Sequence, residues 1–466
     1  MNIVVYKFGG SSVADPIALF RLVDLVTRER NRSMVVVVSA LAGVTNNLVA
    51  VLEALKDKRT QLLTDLLEEI EEQHLSLIAR CFQPETADAV RREFAEEFSY
   101  LDALCHNFLR QKKVSTRKHD QILAFGERFS SKIIFHLIRS HQTRRRGSCA
   151  WLDVREVLRT DAHFGAATPL WTESQQLVNS QLLPVLDQHK LLITQGFTGA
   201  TREGFTTTLG RGGSDFSATL LGALCAAEEV QIWTDVDGIM TADPRLVGNP
   251  ETLPYLNYNQ AATLAYYGAK VLHERCVGPV SDKRIPLRVR NTFDVAHRGT
   301  WIGPNSRNSN KVRAVTGKRE ARLLTLNSPS GTQVGTWPVG VVQALSENRV
   351  PLGLHFAGHE VSMVCEDHPD WNDWLTSTGY GSQIKSDRTC SFLYVLAELD
   401  PGARQEMQIQ VVQALESHGI PLLFQVRDSD AEGAGLAVAR EHFDRAVQIL
   451  HKLLCIAKED QKLLAV

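Results

Sequence analysis

The chain has no uninterrupted apolar run approaching the roughly 20 residues that cross a bilayer as a helix. Its opening, Met1-Asn2-Ile3-Val4-Val5-Tyr6, has no basic segment leading into a long apolar one, and reads as a strand rather than an export signal. Membrane insertion and secretion are therefore not expected, and a cytoplasmic location is. Charge of one sign is also missing. A net charge of -2 argues against nucleic acid or an acidic membrane surface as the main partner. The short run Arg144-Arg145-Arg146 reads as a solvated face. Cysteine is present but never grouped. The eight thiols (Cys81, Cys105, Cys149, Cys225, Cys276, Cys365, Cys390 and Cys455) form no CxxC pair and no His/Cys cluster. That pattern excludes a disulfide framework and a clustered zinc site, and suggests reduced, mostly buried cysteines.

What the chain does have is length and rhythm. Its 466 residues are too many for one ordinary core, so two or three domains are expected. An apolar strand at residues 3–8 runs into Lys7-Phe8-Gly9-Gly10-Ser11-Ser12, and a helical pattern follows from Pro16 to Arg30. Met34 to Val38 is a second buried strand, closed by the small-residue loop Ser39 to Asn46. Strand, glycine turn and helix in repetition point to an α/β sheet with ligands at the carboxyl ends of its strands. Residues 47–140 are charged and helix-periodic, and read as a helical insertion beside that sheet. The α/β rhythm returns with strands at 150–154, 191–194 and 230–233 and helices at 174–188 and 214–227. The polar, turn-rich stretch 297–310 reads as a boundary. Beyond it, strand 321–327, helix 339–347 and strands 352–356 and 361–365 precede an irregular connection over 367–387. A similar order recurs with strand 392–398, helix 404–418, strands 421–426 and 435–439, and helix 442–454. This repetition suggests a tandem pair of small α+β modules.

The densest chemistry lies in Thr206-Thr207-Thr208-Leu209-Gly210-Arg211-Gly212-Gly213-Ser214-Asp215, which leads into an apolar helical segment. Glycines let backbone N–H groups close around an anion, and the following helix points its positive end at the same place. Arg211 adds a planar fork suited to a carboxylate, and Asp215 can hold a metal ion or a cationic group. Gly9 and Gly10 can offer N–H groups to a phosphoryl oxygen beside the point charge of Lys7. The lysine precedes the glycines, so this is not a Walker A loop. Taken alone, that turn and the Ser39–Asn46 loop are as well explained by strand-to-helix geometry and helix capping. Glu127, after an apolar helical run, is either a surface carboxylate or a group facing a substrate ammonium. Trp233-Thr234-Asp235-Val236-Asp237-Gly238 and the residues up to Arg245 put acidic and hydroxyl groups at a strand end, where a ribose and adenine could be held. Two lysines (Lys7 and Lys270), three glycine-rich strand ends and the Arg211/Ser214/Asp215 cluster together suit phosphoryl transfer. A carboxylate acceptor, ionised at neutral pH, needs no general base, which fits a chain with no obvious His/Asp pair.

On these motifs the sequence resembles the aspartokinases of the amino-acid kinase family, most closely the lysine-sensitive type with two C-terminal ACT units. Lys7–Ser12 is similar to the family's KFGGTS opening, Thr206–Asp215 to its TTTLGRGGSD block, Phe197-Thr198-Gly199 to the GF loop before it. Trp233–Gly238 is similar to WTDVxG, and Gly268-Ala269-Lys270-Val271-Leu272-His273 to GAKVLHP. The resemblance implies a three-layer α/β kinase fold over residues 1–297, with the helical insertion at about 47–140. A linker at 298–313 and ferredoxin-like ACT modules at 314–391 and 392–466 would follow. It implies ATP-dependent phosphorylation of the β-carboxylate of L-aspartate to 4-phospho-L-aspartate, with Mg2+, in a homodimer joined through the ACT modules. Lys7 would stabilise the transferring group with the Gly9 and Gly10 N–H groups, and Asp215 would organise Lys7. Thr45, Glu127, Arg211 and Ser214 would hold aspartate, Glu127 facing its ammonium and Arg211 its α-carboxylate. Ser39, Thr234, Asp235, Met240, Arg245 and Lys270 would hold the nucleotide; no residue is assigned to a metal. Alternatives within reach of the same motifs are a kinase for glutamate or N-acetylglutamate, or an inactive effector-binding homologue.

Three positions depart from the family pattern. Met240 stands where tyrosine is common, and Glu274 replaces the proline after GAKVLH. Gly353 occupies the approximate place of an acidic residue that holds lysine in lysine-sensitive relatives, and the loop Ser328–Pro338 is unlike theirs. Losing a carboxylate opposite an ammonium removes a charge-assisted bond of about 1.5–3 kcal/mol, roughly tenfold to a hundredfold in affinity. Lysine inhibition is therefore expected to be weak or absent, with the ACT pair kept mainly for dimerisation. The competing expectation is that Glu360 or Asp367 takes over. Activity measured at millimolar lysine separates the two, and strong inhibition would rule out the first.

Overall fold

Continuous Val-rich runs buried on both faces give the chain its first sheet. The computed structural model describes residues 1–29, 31–111, 115–141, 149–304, 311–328, 341, 351–368, 371–426 and 433–456, and divides into two units. The first unit comprises 1–238, 254–258 and 271–304; the second comprises 239–253, 259–270 and 305–466. Segments 239–253 and 259–270, placed inside the catalytic region by the sequence pattern, thus pack with the second unit.

In the first unit, β1 (Ile3–Phe8), β2 (Ser33–Val38), β3 (Cys149–Trp151) and β4 (Leu191–Gln195) are parallel neighbours in the order β3-β4-β2-β1. A two-stranded hairpin of β5 (Thr198–Ala200) and β6 (Thr206–Thr208) follows. Beyond it, β7 (Glu229–Thr234) pairs in parallel with β1, and β8 (Tyr255–Asn257), β9 (Leu287–Asn291) and β10 (Thr300–Gly303) complete an eight-stranded sheet. Every residue of β1 and β2 is buried, as a parallel sheet covered on both faces requires. The stretch at 297–310 is therefore not simply a boundary. Thr300-Trp301-Ile302-Gly303 is a strand, because Ile302 is fully buried and Trp301 pairs with both Arg288 and Tyr255. The polar residues around it masked that short signal.

The insertion is helical as the periodicity requires: Val44–Lys56, Thr60–Cys81, Pro84–Leu109, Thr116–Leu123 and Phe125–His141. Leu63, Leu67, Ile70, His74, Leu77 and Cys81 recur at three- and four-residue spacing on one buried stripe, facing a similar stripe that includes Val90, Phe94, Phe98 and Leu101. These helices share one apolar cluster with β1, β2 and the helix Pro16–Arg28.

The second unit is built on one six-stranded antiparallel sheet. Its strands are β11 (Lys311–Asn327), β12 (Gly353–Ala357), β13 (Glu360–Glu366), β14 (Ile384–Glu398), β15 (Phe424–Gln425) and β16 (Gly433–Val438). Their order is β12-β13-β11-β14-β16-β15. The two modules read from the sequence merge along β11 and β14, which pair from Lys311/Glu398 to Leu326/Ile384 with bulges between. The supposed irregular connection at 367–387 contains the helix Trp371–Ser377, whose Trp371 and Trp374 pack edge to face in a local core, and the start of β14. The helix expected at 339–347 lies outside the described residues, apart from Val341. Among the described residues, no helix is long and apolar enough to cross a membrane, and the seven described cysteines are free and buried.

His74 is fully buried in the insertion, stacked on Phe94 at 5.1 Å and edge-on to Phe129 at 5.3 Å. Its Nδ1 bonds the Ile70 carbonyl at 2.6 Å, while Nε2 has no partner. Burial lowers its pKa to about 4, so the folded chain keeps it neutral while the unfolded chain protonates it below the ordinary value of 6.5. Folding stability should consequently fall as pH drops from 6.5 towards 4, by up to about 3 kcal/mol. Urea unfolding across that range, compared with His74→Leu, reads this directly; an equal decline in the variant would assign the loss to other groups.

Candidate active site

Four neighbouring strands, β4, β2, β1 and β7, end on the same side of the first sheet, and their connections carry most of the residues singled out above. Lys7 sits one residue before the end of β1, in register with Val37 on one side and Ile232 on the other. Its side chain emerges from a buried sheet, and Lys7 is only 7% exposed. The amine meets Asp215 Oδ1 at 2.6 Å. Asp215 belongs to the first turn of the helix Gly213–Leu224, where the helix's positive end also favours a carboxylate.

That helix starts where it does because of Gly212. Its φ of 69° is a left-handed conformation, and a β-carbon there would lie 2.5 Å from His273 Cβ. The neighbouring loop contains another unusual residue: Phe197 holds φ 66° without being glycine, while its N–H donates to Ser217 Oγ at 2.9 Å. The Phe197 carbonyl accepts from Leu209 at 2.8 Å, which ties the end of β4 to the Arg211 segment.

A cavity of about 590 Å³ opens here, of the size that takes a small-molecule ligand. Lys7, Gly10, Ser39, Thr45, Glu127, Arg211, Ser214 and Asp215 all line it. Eight of the sequence candidates therefore converge on one space. Glu127, from the insertion helix Phe125–His141, is 4% exposed; its Oε1 lies 3.5 Å from Ser214 Oγ and its Oε2 has no hydrogen-bond partner. Burial pushes its carboxyl up to about 7, against the opposing pull of backbone at Ala40 and of Lys7 and Ser214. The insertion is anchored at this point by Ser130 Oγ, which donates to the Ser39 carbonyl at 2.7 Å. Glu127 is a buried carboxyl facing a cavity and lacking a cation, so the surface alternative is excluded.

Gly9 does not do what its sequence setting suggests. Its N–H donates to the Trp233 carbonyl at 3.1 Å, extending the pairing of β1 with β7, and is not available to an anion. The glycine instead leaves space: Lys7 Nζ lies 3.4 Å from where a β-carbon would stand. At the end of β7, Thr234 Oγ1 donates to Asp235 Oδ1 at 3.1 Å, with Asp235 exposed. Met240, Arg245 and Lys270 belong to the second unit. There Arg245 is clamped by Asp243 through its Nε at 2.9 Å, and Lys270 is exposed. The motif ending in His273 is divided, since Gly268 to Lys270 lie in the second unit and Val271 to His273 in the first.

Sequence reasoning missed Asp120, His119 and Leu123, which line the same cavity from the helix Thr116–Leu123. Asp120 lies two helical turns before Glu127, a spacing that places both on one face and could have flagged it.

The sequence profile of the amino acid kinase family matches residues 2–291. The chain is 36% identical to the lysine-sensitive aspartokinase 3 of Escherichia coli over 70% of each chain. It is 35% identical to an aspartokinase of Chlamydia trachomatis over 70% of this chain and 71% of that one. Its structure is similar to that of E. coli aspartokinase III in complex with aspartate and ADP in the R-state, with a TM-score of 0.87 and 29% identity, covering 97% of this chain and 99% of the other. Against the same enzyme with lysine and aspartate in the T-state, the TM-score is 0.75 at 28% identity, with the same coverage.

Proposed function

The chain belongs to the amino acid kinase family, and we propose that it transfers the γ-phosphoryl group of ATP to the β-carboxylate of L-aspartate, forming 4-phospho-L-aspartate and ADP. The observation that carries this reading is the pairing, in one cavity, of a buried carboxyl with one unpartnered oxygen (Glu127) and an exposed guanidinium (Arg211) with the Lys7–Asp215 ion pair. The first two suit the ammonium and α-carboxylate of a free amino acid, with Thr45 and Ser214 beside them. Glu127 would lose its purpose with an N-acylated acceptor. An oxygen of the β-carboxylate attacks the γ-phosphorus as the bond to the β–γ bridging oxygen breaks, and no proton needs removing. Lys7 and the Gly10 N–H stabilise the charge that develops on the transferring group, and Asp215 holds Lys7 in place.

The nucleotide is assigned to Ser39, Thr234, Asp235, Met240, Arg245 and Lys270. Mg2+ bound with the nucleotide would be held chiefly by the phosphates and would supply neutralisation of their charge.

Weak lysine control also belongs to this reading. Within the second unit, a β-carbon on Gly353 would stand 2.6 Å from Val426 Cγ2 and 3.0 Å from Phe424, so packing fills the place an acid would need. Glu360 is already paired with Lys385, and Asp367 with Arg440 at 2.6 Å, which supports neither as a substitute. The loop from Pro329 to Pro338 lies outside the described residues. A homodimer through the second unit draws support from β12, an edge strand on which Phe356 is 46% exposed.

An ADP-release assay with aspartate, glutamate and N-acetylglutamate tests the reaction. Aspartate should be the preferred acceptor, and turnover with another acceptor alone would overturn the assignment. A pH profile tests the role of Glu127. Below its pKa of about 7 the neutral carboxyl cannot pair with an ammonium, so kcat/KM for aspartate should fall about tenfold per pH unit under that value. Glu127→Gln should show a low kcat/KM with that limb absent. A profile unchanged in the variant would remove Glu127 from acceptor binding.

A further inference from the structure

Asp120 is fully buried, lines the cavity and has no part in the chemistry just described. A carboxylate is costly to bury unless its oxygens are used. Here both are used, and on the protein itself. Oδ2 accepts the N–H of Thr208 at 2.7 Å and that of Gly165 at 2.9 Å, and Oδ1 accepts the Thr208 hydroxyl at 3.0 Å. Each oxygen is thus already engaged by the protein, three bonds in all.

The two segments that Asp120 joins shape the acceptor side of the cavity. The Thr208 carbonyl accepts from Ala167 N–H at 2.9 Å, and the Gly165 carbonyl lies 3.1 Å from where a Gly210 β-carbon would stand. Arg211 is the next residue, and the turn closes as Gly213 N–H donates to the Gly210 carbonyl at 3.0 Å. Arg211 is itself exposed, so the direction of its guanidinium depends on the backbone that carries it. A second link acts near the start of β6, where Arg117, one turn before Asp120, lies 3.3 Å from the centroid of the Phe205 ring. The insertion helix Thr116–Leu123 thereby grips the strand that delivers Arg211 near both ends.

We propose that Asp120 is a positioning residue for the acceptor site: it locks the Thr206–Gly213 segment to the insertion so that Arg211 meets the acceptor's carboxylate, without touching the acceptor. The inference rests on the reading of Arg211 as the carboxylate clamp.

Steady-state kinetics of full-length Asp120→Ala and Asp120→Asn, with ATP and acceptor varied separately, test it. Asparagine keeps one oxygen for the two amides, and its NH2 can donate to the Thr208 hydroxyl. Alanine removes the acceptor of both N–H groups, the buried one of Thr208 and the more exposed one of Gly165. Asp120→Ala should raise the acceptor KM about tenfold or more while leaving the ATP KM within about twofold, and Asp120→Asn should return the acceptor KM to within about threefold of wild type. Equal damage by both variants would mean that the charge, not the geometry, matters, and would overturn the proposal. So would a rise in both KM values together, or a fall in kcat alone. If the alanine variant does not fold, Thr208→Val removes only the hydroxyl contact and should raise the acceptor KM about two- to threefold; no rise would overturn the proposal. Wild-type enzyme that ignores aspartate would sink the substrate assignment instead, and the same KM comparison is then made with the acceptor from the panel that it does phosphorylate.

Discussion

The 2.6 Å pair between Lys7 and Asp215 is the constraint around which the rest of the first unit is arranged. An ammonium emerging from the middle of a parallel sheet has little water to solvate it, and an uncompensated buried charge costs several kcal/mol. A carboxylate must therefore be brought to the end of β1, and the helix Gly213–Leu224 brings it. That demand explains the local backbone. Gly212 turns left-handed under His273, Phe197 accepts a strained φ beside the helix, and Gly9 omits a side chain where the Lys7 amine lies. The pair also holds a positive charge ready without leaving it free, which is the state phosphoryl transfer needs before its substrates arrive.

The helical insertion is part of this arrangement, not an ornament on it. It shares an apolar cluster with β1 and β2. That packing lets it present Glu127 and Asp120 to the cavity, one with an unpartnered oxygen and the other with both oxygens bonded to the protein. Two carboxylates seven residues apart thus serve different ends, and only their hydrogen bonds distinguish them. The second unit has a comparable hold on the nucleotide candidates. Ala242 and Val247, which flank Arg245, belong to its apolar core, and the Thr241 carbonyl accepts from Val315 of β11 at 2.8 Å. The geometry of Met240 and Arg245 is set by the unit that carries the ACT-like sheet.

Strand ends and glycine turns were legible in the chain because parallel strands buried on both faces leave continuous apolar runs, and the turns after them need small residues. The insertion was legible for a similar reason, since helical periodicity survives a charged composition. Short strands were not. β10 and β5 are four and three residues long, too short to show a period, and β10 lies in a polar stretch of sequence. The helix Trp371–Ser377 is only seven residues long and was hidden likewise, its two tryptophans packing into a core with residues of β11 and β13.

Residue identity and spacing by themselves pointed to an α/β sheet with a lysine, glycine turns, an arginine and an aspartate near strand ends, because ligands of such sheets gather at the carboxyl ends of the strands. Only the tertiary structure decided how each is used. Gly9 spends its N–H on Trp233, Glu127 is buried with one oxygen unpartnered, Asp120 becomes a brace, and Gly353 is shut in by Val426 and Phe424. These outcomes depend on which donor or side chain lies across the gap. Hydrogen bonds and packing between residues dozens or hundreds of positions apart leave no periodic trace in the sequence.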